Sequence, residues 1–415
     1  MRGSRVARWL PVVALVSCEP LDDQLAPEPE PAPAPQRPEP GAPEPGAPAP
    51  PGGEHAWAWT EVAPDDARLR FIGRVDREAR EGPTSAYPGS TVRLRCQCSG
   101  VDVRFEDLGE GGEAHTTFVD VRVDGQSRGV LALQPGAPWL PGVRGLPRGE
   151  HTIELVKRTE AYAGAMRFLG LRLEGTLLEP PAPPARRMEF IGDSITCGYG
   201  NAVSIAAPTY TEPNTGYHAR NQDILAAFGP LTARRLGAEW VTTCVSGQGV
   251  YRANTGARDG VLPLVYRRTL PHQAEPRWEP SRYVPDVIVI NLGTNDFAVA
   301  DGAGLPTAPP SESFKQAYAE FVHELRAAYP EAVIVCAVGP MTSDTYPSGR
   351  ALWTRLRRDV SDMVARVRAE GDTRVHGFVF TPIAGDPYGE DWHPTAAFHA
   401  GMADELVPFL QGLGF

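Results

Sequence analysis

The spacing of apolar and polar positions changes near residue 180. Before it, STVRLRCQC (90–98), VDVRFEDL (101–108), TFVDVRV (117–123), RGVLAL (128–133), HTIELVKR (151–158) and MRFLGLRLEG (166–175) alternate with period two. That is the pattern of half-buried antiparallel strands with one solvated face. Asp124-Gly125 lies between the third and fourth runs and predicts a tight primed hairpin turn. After it, PPAPPAR (180–186) marks a linker. Short buried strands then follow at 187–192, 239–245, 286–293, 332–338 and 375–381, interleaved with helical spacing at 224–238, 313–329, 351–371 and 394–413. The predicted fold class is α/β: a β-sandwich of jelly-roll type over 55–179, then an α/β region over 187–415. Alternating strands and helices build a parallel sheet covered on both faces, and such sheets bind ligands beyond the carboxyl ends of their strands.

The N-terminal segment fits neither pattern. Arg2, Arg5 and Arg8 precede a short apolar stretch, Trp9 to Val16, and then Ser17 and Cys18. Charge, apolar core and small residues in that order predict an export signal over 1–18. Leu15-Val16-Ser17-Cys18 looks like a bacterial lipobox, which would make Cys18 a lipid-modified N-terminus and place the exported protein on a membrane; an ordinary signal with Cys18 incidental is the alternative. Within the linker 19–54, residues 26–53 contain 12 prolines in 28 positions and no aromatic residue. Such a segment cannot bury enough apolar surface to offset its ordering entropy and predicts an extended spacer.

Composition narrows the classes. The 415-residue chain is 42% hydrophobic and 22% charged, with net charge -11. An acidic chain without a basic run lacks the cations that neutralise phosphates, so nucleic acid is not an expected partner. The six cysteines form no CxxC pair, which removes zinc-ribbon readings. Cys96 and Cys98 sit two apart on one strand face and are not expected to pair with each other.

The chemistry-bearing residues follow the α/β strands. Gly192-Asp193-Ser194 places a serine between glycine-rich positions after the first strand, Ser246-Gly247-Gln248-Gly249 follows the second, and Gly293-Thr294-Asn295-Asp296 the third. Glu390-Asp391-Trp392-His393 precedes the last helix. Each alone reads equally well as a turn or a cap. Together they supply a nucleophile, two oxyanion donors and a base after different strands of one sheet, the parts acyl transfer needs.

GDSITCGYG, SGQG, GTND and DWHP, in this order, resemble the SGNH (GDSL-type) hydrolases over 187–415. With AYPGS (86–90) and HTIELVKRTE (151–160), the resemblance narrows to carbohydrate esterase family 2 over about 55–415. It implies a flavodoxin-like parallel sheet, no metal or other cofactor, and a substrate that is an acetylated polysaccharide such as xylan or glucomannan. It also implies Ser194 as nucleophile, His393 as base, and an oxyanion hole of the Ser194 and Gly247 N–H groups and the Asn295 side chain. The superfamily usually carries Asp three residues before the His; here Glu390 stands there. Asp391, two residues before His393, is the preferred orienting carboxylate on the premise of an extended loop, with a Ser-His dyad as the alternative. Trp392 and Tyr199 are the candidate sugar-stacking residues, with Trp278 in the 251–285 insertion a third. A carbohydrate-binding surface lipoprotein without catalysis, or an esterase of lipid or cell-wall acetyl esters, remain the other readings.

Overall fold

In the computed structural model, residues 58–205, 215–385 and 387–415 are described; Cys18 and the proline-rich segment lie outside them. The first region contains β1 (Trp59–Val62), β2 (Arg70–Ile72), β3 (Val75–Asp76), β4 (Thr84–Ser85), β5 (Thr91–Asp107), β6 (Phe118–Val123), β7 (Gln126–Ala132), β8 (Trp139–Val143), β9 (Glu150–Lys157) and β10 (Met166–Leu178). All its pairings are antiparallel, and β5 and β10 run side by side as its spine. Their inward residues, among them Leu94, Val103, Phe105, Phe168 and Leu171, form the core of this region. Asp124 (φ 51°) and Gly125 (φ 79°) make the predicted hairpin turn between β6 and β7.

Two expectations fail here. The two strands expected at 90–98 and 101–108 are a single strand, β5, whose pairing with β10 skips Ser99. An extra residue of this kind kinks and contracts a strand. Cys96 and Cys98 lie 5.5 Å apart at Cα and form a disulfide. The expectation that this pair would not bond is therefore overturned: the two side chains share one strand face, and their Cα separation lies within the roughly 4.4–6.8 Å that a disulfide bridges.

The second region carries β11 (Arg187–Gly192), α1 (Ser194–Cys197), α2 (Phe228–Arg235), β12 (Glu239–Cys244), α3 (Leu262–Tyr266), β13 (Val287–Asn291), α4 (Ser311–Ala328), β14 (Val333–Val338), α5 (Leu352–Ala369), β15 (Val375–Val379) and α6 (Ala396–Gly412). The five strands are parallel in the order β12-β11-β13-β14-β15. This is the 2-1-3-4-5 order of flavodoxin-like sheets, whose switch point falls between the first and third strands. The helix expected at 224–238 divides into a short turn, Ile224–Ala226, and α2.

The described residues fall within one compact unit, because the two regions share buried surface. Tyr87 of the first packs into the cluster containing Ile191, Val245 and Tyr266 of the second. Ile72 packs with Val241, Trp278 and Tyr283, so Trp278 is a core residue rather than a sugar platform. Arg74 is buried, pairs with Glu189 on β11 at 3.2 Å and lies over the Tyr266 ring. A buried ion pair is a weak source of stability, but removing one partner strands the other charge, so this contact fixes how the regions meet.

Candidate active site

β11 ends at Gly192, and Asp193 turns the chain into α1 by accepting the Ile195 N–H at 3.1 Å. This cap puts Ser194 on the first turn of a helix that starts at the carboxyl edge of the sheet. The chain then bends back through left-handed Gly198 and Gly200. Gly200 lies so close to the base loop that a Cβ there would sit 2.4 Å from the Glu390 Cβ. The Glu390 N–H donates to the Gly200 carbonyl at 3.2 Å, which seats one loop on the other.

His393 Nε2 stands 2.7 Å from Ser194 Oγ. Its Nδ1 faces two main-chain carbonyls, Glu390 O at 2.9 Å and Asp391 O at 3.1 Å. Carbonyls only accept, so Nδ1 carries the proton and the Nε2 lone pair meets the serine hydroxyl. The imidazole is buried, and that burial lowers its pKa to about 4 against the pull of these carbonyls and of Asp391. It is therefore neutral and able to take a proton across the ordinary pH range.

Neither candidate carboxylate bonds the imidazole. Asp391, preferred from the sequence, accepts from the Tyr199 hydroxyl at 2.5 Å and the Gly216 N–H at 2.9 Å. The premise of an extended loop fails, since Asp391 (φ 47°) and Trp392 (φ 62°) are both left-handed within a tight turn. That turn swings the Asp391 side chain off the ring while leaving its carbonyl on it. Glu390 is buried and faces away, accepting from the His218 N–H, His218 Nδ1 and Asn221 Nδ2.

Tyr199 is also placed otherwise than expected for a sugar platform. Its ring stacks on the His393 imidazole at 4.3 Å and 25°, Tyr217 packs on it at 5.0 Å, and its hydroxyl is committed to Asp391. Trp392 remains 41% exposed beside the base. Its left-handed backbone turns it outward, which suits the stacking of a pyranose face.

The remaining parts converge from β12 and β13. Gly247 is left-handed (φ 77°), and among the described residues neither its N–H nor that of Ser194 donates to an acceptor. Asn295 is buried, and its amide donates to Gln248 O at 3.0 Å and, over a longer 3.3 Å, to Asp193 Oδ2. Asp296 gathers the N–H groups of Val250, Tyr251 and Arg252, which shapes the loop after β12. Burial raises Asp193 to about 7 and Asp296 to about 6. A disulfide between Cys197 and Cys244 ties α1 to the end of β12.

The sequence reading missed the Cys197–Cys244 bond and the Glu390–His218 contact. It also missed Glu160, a carboxylate from the first region that reaches Ser246. The string 151–160 contains it, but a charged run after a strand looks like a solvated loop. Only the fold reveals its burial.

Comparison with known proteins follows the same division. The family model described as "GDSL-like Lipase/Acylhydrolase family" matches residues 190–400, and "Carbohydrate esterase 2 N-terminal" matches 71–181. The cellulase/esterase CelE of Acetivibrio thermocellus is 35% identical over 345 residues, covering 83% of this chain and 39% of that protein. The chain thus spans about two fifths of the length of CelE. An acetylxylan esterase / glucomannan deacetylase of Cellvibrio japonicus is 29% identical over 84% of this chain and 90% of its own length. The solved structure of a family two carbohydrate esterase from Clostridium thermocellum, in complex with cellohexaose, superposes with a TM-score of 0.74 at 33% identity, over 83% of this chain and 99% of that one.

Proposed function

Because this chain belongs to the GDSL-like lipase/acylhydrolase family, we propose that it is a carboxylic ester hydrolase of the carbohydrate esterase family 2 type, which removes O-acetyl groups from polysaccharides such as xylan or glucomannan through a Ser194–His393 acyl-enzyme. The observation that carries this reading is the 2.7 Å contact of His393 Nε2 with Ser194 Oγ, with Nδ1 pinned by carbonyls. As Ser194 Oγ attacks the acetyl carbonyl, Nε2 takes its proton and the carbonyl oxygen becomes an oxyanion. The Ser194 and Gly247 N–H groups are free to receive it, and the Asn295 hydrogen held only by the long bond to Asp193 is the third donor. Collapse of the tetrahedral adduct breaks the bond to the sugar oxygen, which leaves with the proton from Nε2. Water, deprotonated by the same nitrogen, then releases acetate from Ser194. The imidazolium formed in each half-reaction is stabilised by the two carbonyls and, at longer range, by Asp391; the arrangement is a carbonyl-supported dyad. Trp392 is the sugar platform in this reading.

The first region, with its long β5 and β10 around one core, fits the jelly-roll sandwich expected over 55–179. The export signal, the Cys18 lipid anchor and the proline-rich spacer rest on the order of residues in 1–54, and we keep them as part of the proposal: an exported esterase held off a membrane by its stalk. Labelled fatty acid should enter the wild-type protein in a bacterial host and not Cys18→Ser. The activity is tested on p-nitrophenyl acetate through octanoate, and on acetylated xylan and glucomannan. Acetate release from the glycans and a rate falling with acyl length are expected; equal rates on acetyl and octanoyl esters would remove the acetyl assignment.

A further inference from the structure

Glu160 lies just after β9, in the antiparallel region, yet it is fully buried against the loop that follows β12. One carboxylate oxygen accepts the Ser246 N–H at 3.0 Å, and the other accepts the Ser246 hydroxyl. Burying a carboxylate costs several kcal/mol unless it is bonded and its charge is met, so an accidental placement is poorly explained. Its own backbone is fixed on two sides. The Glu160 N–H donates to Gln222 Oε1 at 3.0 Å, while Gln222 Nε2 donates to Cys197 O at 2.9 Å, at the end of α1. Lys157, also fully buried, donates from Nζ to Thr159 O at 2.7 Å and to Glu160 O at 3.1 Å.

Ser246 immediately precedes Gly247, whose peptide N–H is aimed only as well as the Ser246 backbone is held. The turn is also tied by Gln248 N–H to Val245 O at 3.3 Å, Asn254 N–H to Gly247 O at 2.9 Å and the Asn295 amide to Gln248 O at 3.0 Å, none of which holds Ser246 itself. We propose that Glu160 is a positioning residue of the esterase: by gripping the main chain and hydroxyl of Ser246 together, it fixes the Gly247 N–H in line with the oxyanion that forms on the Ser194 adduct. The antiparallel region is thereby a working part of the oxyanion hole. Burial raises the Glu160 pKa, against the pull of the Ser246 hydrogen bonds and of Lys157 nearby, which limits the negative charge set behind the oxyanion.

This inference rests on the Ser194 acyl-enzyme reading, and the test separates the two. Full-length wild type, Glu160→Gln, Glu160→Ala and Ser246→Ala are assayed on p-nitrophenyl acetate, with active sites counted by stoichiometric titration with an organophosphate. Per titrated site, kcat should fall at least tenfold in Glu160→Gln and about 10²-fold in Glu160→Ala, within the cost of one misplaced oxyanion donor. Ser246→Ala, which keeps the main-chain bond, should lose three- to tenfold. KM should stay within about threefold, because the hole acts on charge absent from the ground state. Affinity for an alkylboronic acid, which forms a tetrahedral adduct on the serine, should fall in parallel with kcat. A purely structural role would lower the melting temperature or the titratable fraction and leave kcat per site and boronate affinity unmoved; that result overturns the proposal. If Glu160→Ala does not fold, the Gln and Ser246 variants decide it. Wild type that fails to turn over p-nitrophenyl acetate in a Ser194-dependent way would defeat the functional reading instead.

Discussion

The two sides of the site are held by opposite means. On the base side, the imidazole is oriented by neutral carbonyls of Glu390 and Asp391, and both of their carboxylates are turned to other tasks: Asp391 to Tyr199 and Gly216, Glu390 to His218 and Asn221. On the oxyanion side, a buried carboxylate does the holding, with Glu160 on Ser246 and Asp193 beside Asn295. The contrast follows from where charge develops. Imidazolium needs only acceptors that point at Nδ1–H, which a tight turn supplies from main chain. The oxyanion needs donors, and donors are aimed most firmly by acceptors behind them. In the proposed mechanism, acidic residues serve mainly as scaffold, not as relay.

The comparison breaks most visibly if the oxyanion side is dispensable. Ser194→Ala should abolish nearly all turnover, since no other described group is placed to attack the ester, and residual activity above about 10⁻⁴ of wild type would require a second nucleophile. Asn295→Ala should lower kcat on p-nitrophenyl acetate by roughly 10²–10³ with KM little changed; a rise in KM alone would place Asn295 in ground-state binding. The base side should prove far more tolerant of losing a carboxylate. In a protease triad, Asp→Asn costs about 10⁴, whereas Asp391→Asn should cost no more than about tenfold in kcat, because the carbonyl that meets Nδ1 survives. A loss near 10⁴ would show that this carboxylate reaches the ring during turnover. The smallest effect to resolve is a matter of pH. Burial lowers the His393 pKa from its ordinary 6.5 to about 4, and the neutral ring is the active form. The acid limb of kcat/KM, which reports the free enzyme, should therefore hold down to about pH 4 and fall below it. An inflection at 6.5 or above would mean a solvated or carboxylate-paired imidazole.

The sequence showed the α/β region well and the antiparallel region in part, for physical reasons. The strand β13 carries a continuous apolar run, because it is buried on both faces, and a functional loop follows it directly. Ser194, Gly247, Asn295 and His393 stood out as candidates because each lies at or shortly beyond the end of an element. The strands β1 to β4 are two to four residues long, too short to show a period. What periodicity could not disclose was backbone handedness and tertiary reach. Asp391 was misplaced because alternation assumes extended backbone, and nothing local announces two successive left-handed residues, although Asp tolerates that conformation better than most. Glu160 was missed because its burial is made by the other region, 86 residues further along the chain.

The closeness of Gly200 to Glu390 limits how this site can change by mutation. Any side chain at 200 would drive a Cβ to within 2.4 Å of another Cβ and 2.8 Å of a main-chain nitrogen, at a φ of 56° that already disfavours one. The serine loop and the histidine loop therefore drift together or not at all. A library that randomises either loop alone samples mostly dead variants, and one that seeks new acyl specificity has to vary 198–201 and 389–392 as a single cassette.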